Sequence, residues 1–306
     1  MDVMKRIIFV PGISPKPPPQ SHREQVLRCL WRGVGRADPA VAQDIQAQPE
    51  VLSLAAWNPL YYQSFRQLDR DISWIDALLE KSGPTREEVR AALGWRVKLA
   101  WAAHRLADLL PRLIPMLPYP AAQQTIAETA RYFRNANNIG EEVREQLMAP
   151  LRRMFADGDR VLLIGHSMGS VIAYDALWEL WHKVHNTGRI DMLLTLGSPL
   201  GMRFTQKRLL GAGAVGAARY PGNIRRWVNV AARGDLTALH PYLGREYKPM
   251  VELGLTQSIV DIHGDVFNYF RDERGLNVHR AYGYLVNPKV GEVIAHWWKN
   301  DEDVPL

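Results

Sequence analysis

Residues 161–174 constrain this chain more than any other stretch. Four apolar residues, Val161, Leu162, Leu163 and Ile164, are followed by Gly165, His166, Ser167, Met168 and Gly169, and then by Ser170, Val171, Ile172, Ala173 and Tyr174. An apolar run closed by glycine reads as a fully buried strand, and Val171, Ile172 and Leu177 return at helical spacing. A strand therefore turns directly into a helix at Ser167. So tight a turn forces the serine into a strained backbone conformation and brings other backbone close on both sides, which suits glycine at 165 and 169. The serine hydroxyl is left exposed above the sheet edge.

Gly165-x-Ser167-x-Gly169 between a strand and a helix has the pattern of a nucleophile elbow. On these residues the chain resembles the α/β-hydrolase family, and more narrowly its lipase-like and esterase-like members with a Gly-His-Ser-Met/Leu-Gly elbow. The resemblance extends over the first strand and nearly everything from about residue 140 to the C-terminus. It implies an α/β fold with a mostly parallel central sheet flanked by helices, one domain over residues 1–306, and a helical cap or lid insertion at 57–138, a segment that matches none of the family's motifs.

Composition sets outer bounds. With 306 residues, 47% hydrophobic and 23% charged, the chain is long enough for one large α/β domain with an insertion. Its one cysteine, Cys29, excludes an intrachain disulfide and fits a reducing compartment. The net charge of +6 is spread along the chain without a long Lys/Arg block, which argues against nucleic acid as a partner and leaves weak attraction to anionic surfaces open.

Near the N-terminus, Lys5 and Arg6 precede Ile7, Ile8, Phe9 and Val10, a run too short for a signal-peptide core and ended by Pro11 and Gly12. It reads as a buried strand. In the family, the loop after such a strand supplies one backbone N–H of the oxyanion hole and the residue after the nucleophile supplies the other. That assigns the pair to Ile13 (or Ser14) and Met168, although Pro11 stands where the family often has histidine. Pro15, Pro17, Pro18 and Pro19 make the next stretch stiff and extended. A helix is expected over 21–34 and a second strand over 51–56, broken by Trp57, Asn58 and Pro59.

Between 57 and 138 no alternating strand pattern occurs. Leu99, Ala103, Leu106, Leu110, Leu113 and Leu117 share one helical face, while Arg105, Asp108 and Arg112 share another. Charges, with Pro111 and Pro115, rule against a transmembrane span. The segment is expected to be helical. It either packs on the core or caps the site with an apolar underside that receives an acyl chain or lies on a membrane surface.

A helix over 140–155, with Glu141, Glu142 and Glu145 early and Arg152 and Arg153 late, complements its own dipole and leads into the serine strand. After the elbow come a strand at 192–196 ended by Gly197, Ser198 and Pro199, a glycine-containing loop at 203–221 read as mobile, and a strand at 226–230. Ser198 lacks the glycine frame and following helix that a second nucleophile would need.

The family order places an acid and then a histidine after the serine. Asp235, on the loop after the 226–230 strand, fits the acid, although Gly-Asp is also an ordinary turn pair; Asp261 and Asp265 are the alternatives. For the base, His240 lies too near Asp235 and His296 falls in a terminal helix expected over 289–298. His279, on a loop just before that helix, is favoured over His263.

The expected activity is a serine hydrolase that cleaves carboxylic esters of small-molecule, hydrophobic acyl substrates through Ser167, Asp235 and His279, with Met168 and Ile13 as oxyanion donors, no metal and no cofactor. An acyltransferase, thioesterase or amidase would use the same triad, and a non-catalytic binding protein could keep the same fold. A cytoplasmic location is expected, with contact between the helical insertion and a membrane surface left open.

Overall fold

The structure is a computed structural model; it describes residues 3–109 and 120–300, the side chains of residue 70 and residues 120–126 excepted. Of the residues singled out in the insertion, Leu110, Pro111, Arg112, Leu113, Pro115 and Leu117 lie outside the described residues.

Six strands form one sheet: β1 (Lys5–Val10), β2 (Leu52–Leu54), β3 (Arg160–His166), β4 (Ile190–Leu196), β5 (Ile224–Val230) and β6 (Ser258–Ile262). They lie in the order β2-β1-β3-β4-β5-β6, and every neighbouring pair is parallel. A parallel sheet needs cover on both faces, which is why its central strands are apolar without alternation. Ile7, Phe9, Leu162 and Ile164 face the layer that contains α1 (Pro19–Ala37) and α14 (Pro288–Lys299). Ile8, Val10, Val161 and Leu163 face the layer that contains α8 (Ile139–Asp157) and α9 (Met168–His182).

The register puts the functional loops on one edge. Val10 pairs with Gly165, His166 with Leu196, and Leu196 with Val230, so the carboxyl ends of β1, β3, β4 and β5 finish level. The chain runs from β1 outward to β2 and returns to β3 on the other side of β1. Ligands of open parallel sheets bind at such a switch point, outside the carboxyl ends of the strands.

The expected second strand is shorter than predicted. A 3-10 turn takes Pro49–Val51, and pairing with β1 stops at Leu54 because the chain turns into α3 (Asn58–Tyr62). The helix expected over 21–34 extends from Pro19, whose fixed φ suits a first turn, to Ala37, and α2 (Pro39–Gln46) follows it. The run at 258–262 is a full edge strand, β6.

The insertion also contains α4 (Asp69–Glu80), α5 (Arg86–Ala92), α6 (Trp95–Leu109) and α7 (Pro120–Arg134). Helix α4 belongs to the body of the protein, since Ile75 and Leu78 are buried in the same core as α1. Helix α6 turns Ala100, Ala107 and Asp108 inward, while Trp95, Leu99 and Leu106 are 69, 64 and 51% exposed. Of the leucines on the expected apolar face, Leu99 and Leu106 therefore look outward.

The 203–221 loop, expected to be mobile, begins with α10 (Arg203–Gln206) and is tied to α9: Leu210 N–H donates to Asp175 (2.9 Å) and Trp178 Nε1 to Ala218 O (3.0 Å). Further along come α11 (Leu243–Glu246), α12 (Lys248–Glu252), a two-stranded antiparallel ribbon of β7 (Arg271–Asp272) and β8 (Gly275–Leu276), and α13 (Ala281–Leu285). Among the described residues no helix is long and apolar enough to cross a membrane.

Candidate active site

Ser167 sits between β3 and α9 at φ 54°, ψ −125°, a region that non-glycine residues rarely occupy. Its N–H donates to Leu196 O at 2.9 Å, which locks the turn to the end of β4. A Cβ on Gly169 would stand 2.1 Å from Val10 O, and one on Gly165 2.6 Å from Ser170 Cα. Both glycines are thus required by backbone approaching from β1 and from the helix start.

His279 reaches this serine from the loop after β8, its N–H held by Asn277 Oδ1 (3.2 Å). Its Nε2 lies 2.9 Å from Ser167 Oγ and its Nδ1 2.8 Å from Asp235 Oδ2. An ionised carboxylate only accepts, so Nδ1 carries the proton and Nε2 is left to accept from the serine hydroxyl. Asp235 follows β5, and its side chain is fully buried. Burial alone would raise its carboxyl, but the His279 charge, with hydrogen bonds from His279, Tyr284 and the Thr237 N–H, outweighs burial and holds it below the ordinary range.

The other candidates lie elsewhere. Asp261 accepts from Leu243 N–H, Gly244 N–H and Asn229 Nδ2, which makes it a structural clasp on β6, and Asp265 is exposed. His240 Nε2 stands 3.2 Å from the buried Asp108, His263 is exposed against the Tyr242 ring, and His296 is on α14. Ser198 spends its hydroxyl on Ser170 Oγ (2.7 Å) and the Leu200 N–H (3.2 Å).

Several residues that the sequence did not single out hold the site in shape. Tyr284 OH donates to Asp235 Oδ2 at 2.6 Å and accepts from Ala232 N–H at 2.9 Å. His166, which burial keeps neutral with a pKa well below the usual value, donates through Nε2 to His279 O at 2.7 Å. The loop at 11–14 is pinned by α3 and its approach. Trp57 Nε1 donates to Pro11 O (2.8 Å), and Asn58 Nδ2 to both Gly12 O (2.9 Å) and Ser14 O (3.0 Å). Tyr62 OH accepts the Ser14 N–H at 2.9 Å, so of the two N–H groups considered on that loop, Ser14's is spent and Ile13 remains. Met168 opens α9, where the first N–H groups have no acceptor within the helix. In sequence, Trp57, Asn58 and Pro59 look like a strand breaker; nothing local shows that their side chains turn back to the first loop.

Ser167 and His279 open on a cavity of about 200 Å³ whose wall includes Ile13, Lys16, Asn277 and Arg280. Comparison with family models, with curated proteins and with solved structures finds no match to this chain. A second, larger groove of about 710 Å³ runs between α6 and the loops after β5 and β6, lined by Leu93, Val97, Trp101, Leu239 and Tyr242 among others. The short segment that carries Thr237 on the first cavity and Ala238 on the second divides them. Among the described residues no group of three or more His, Cys, Asp or Glu side chains could hold a metal ion.

Proposed function

We propose that this protein is a serine hydrolase of the α/β-hydrolase type that cleaves carboxylic esters through an acyl-enzyme. One observation carries the reading: a strained serine at the strand-to-helix turn donates its hydroxyl to His279 Nε2 at 2.9 Å while Asp235 accepts from the far side of that imidazole at 2.8 Å. In the forward step His279 Nε2 takes the Ser167 proton as Oγ attacks the acyl carbon. Asp235 stabilises the imidazolium, and the N–H groups of Met168 and Ile13 face the charge that forms on the carbonyl oxygen. The imidazolium then protonates the leaving alcohol, and water deprotonated by His279 releases the acid and frees Ser167.

A hydrophobic acyl group would find apolar surface in the groove beside α6, across the 235–238 segment from the serine. The same helix suits contact with an anionic membrane surface. Trp95, Leu99, Leu106 and Leu109 are exposed on it, Arg96, Lys98 and Arg105 supply positive charge, and its one acid, Asp108, is buried. Cys29, a buried free thiol, fits a reducing compartment.

The test is fluorophosphonate labelling of the protein beside Ser167→Ala, followed by hydrolysis of p-nitrophenyl esters of increasing acyl length. Labelling and turnover should both vanish in the variant, with kcat down about 10⁴-fold or more. Equal labelling of the two proteins would refute the assignment. A rate that climbs with acyl length supports use of the apolar groove; a rate highest for acetate would confine the acyl group to the small cavity.

A further inference from the structure

The cavity that meets Ser167 is not an apolar slot. Lys16, from the proline-rich loop after β1, and Arg280, next to His279, both line it, with Asn277 and Thr237. Behind them Asp71 has no exposed surface and carries two guanidinium groups at once: Arg66 on Oδ1 at 2.9 Å and Arg280 on Oδ2 at 2.5 Å. One carboxylate thus answers two arginines, and Lys16 stands beside them as a third cation. Lys16 Nζ donates to Ile13 O at 2.6 Å, a neutral acceptor that takes one of its three N–H bonds, and no carboxylate among the described residues ion-pairs with it. Glu128, the next acid, accepts from Tyr62 OH at 2.7 Å. His22, also on the wall, is kept neutral by burial and by Lys16 and Arg280, down to about 3. The wall therefore holds more positive charge than its own acids neutralise.

We infer, resting on the hydrolase reading, that this cavity binds an anionic group of the ester, with Lys16 and Arg280 as its holders. The substrate class is an ester that carries a carboxylate or equivalent anion within reach of the scissile carbonyl, on its acyl or its alcohol side. Burial and then the neighbouring Arg280 and Arg66 bring Lys16 down to about 7, against the pull of Asp71 and Glu128. A half-buried ammonium held down in this way is stabilised by an arriving anion. Because deprotonation removes the Lys16 charge and leaves only that of Arg280, preference for the anionic ester decreases as pH rises through about 7. The other charged or titratable groups facing that ammonium are Arg66, Asp71, Glu128, His22, His166 and Arg280.

Two substrate pairs test this: the mono-p-nitrophenyl ester of adipic acid against its methyl-capped diester, and 4-carboxyphenyl acetate against its methyl ester. In at least one pair the anionic member should have a kcat/KM ten-fold or more above the neutral one, and Lys16→Met should bring that ratio to about one. The ratio matters because loss of the Ile13 contact would slow both members equally. Ratios near or below one in both pairs, or a ratio unchanged in Lys16→Met, would overturn the inference. Calorimetric titration of the Ser167→Ala protein with adipate and with 4-hydroxybenzoate makes the subsite independent of turnover. Binding of at least one, weakened ten-fold or more by added Lys16→Met, is expected, and no binding of either counts against the subsite. Absence of labelling and of all ester turnover would instead strike the hydrolase reading, with calorimetry still deciding the anion site.

Discussion

Asn58 holds two carbonyls of the loop that faces Ser167, those of Gly12 and Ser14, with a single buried amide. Removing it leaves the buried Gly12 carbonyl short of a donor, at about 1–3 kcal/mol, frees the Ser14 carbonyl to water, and lets the Ile13 N–H drift from its proposed oxyanion position. Asn58→Ala should therefore lower kcat about 100-fold with KM within a few-fold, and cost a few degrees in Tm. Steady-state kinetics with one activated ester, beside a melting curve, check it; a loss confined to KM would show that Asn58 contacts the substrate and does not position the loop. The serine itself was readable from sequence because its geometry is local: a strand, two glycines and a helix within a few residues. Asn58 was not, since the contact that gives it meaning spans 44 to 46 residues.

Helix α6 shows how one periodic pattern leaves two orientations open. Leu99, Ala103 and Leu106 recur at helical spacing, and periodicity predicts an apolar face without saying whether it packs on the core or faces outward. The helix instead seats Ala100 and Ala107, whose small side chains permit close approach, and anchors through Asp108, which accepts the N–H groups of Arg203 and Phe204 at 3.0 Å each. A buried acid decided the orientation. Burial raises its carboxyl, but His240 and those two N–H groups pull it below its ordinary value. Leu99→Gln with Leu106→Gln should thus leave stability within about 0.5 kcal/mol, because both side chains already face solvent. The pair should abolish co-sedimentation with vesicles rich in anionic lipid, binding that added salt weakens in the parent protein. A parent protein that ignores such vesicles at low salt would remove the membrane surface as a partner of α6.

Across the whole molecule, stability carries a pH signature from the face opposite α1 and α14. Burial raises Asp175 to about 7, against the Leu210 N–H, the Arg144 charge and the Tyr132 hydroxyl. The folded protein then keeps a proton that the unfolded chain releases above about pH 4. By linkage this contribution lowers stability as pH rises from about 4 to about 7, and is constant above that. Urea denaturation of the parent and of Asp175→Asn should therefore show the gap moving in favour of the variant between about pH 5 and pH 7.5. A gap that stays constant would mean that Asp175 is ionised in the folded state.

The amino-acid order by itself determined what depends on neighbours in the chain: buried parallel strands from unbroken apolar runs, the glycine-framed turn at Ser167, and helices on either side of the sheet. It also narrowed the acid and base to a few residues, because each follows a recognisable strand or precedes a recognisable helix. Only the tertiary structure decided which of them meet. The level ends of β1, β3, β4 and β5 bring residues 12, 167, 235 and 279 to one edge. That same edge gathers Lys16, Arg66, Asp71 and Arg280, whose charges are unremarkable singly and acquire a joint excess only when burial removes the water between them. Local spacing carries backbone geometry well, whereas electrostatics is set by distance in space, which sequence separation does not record.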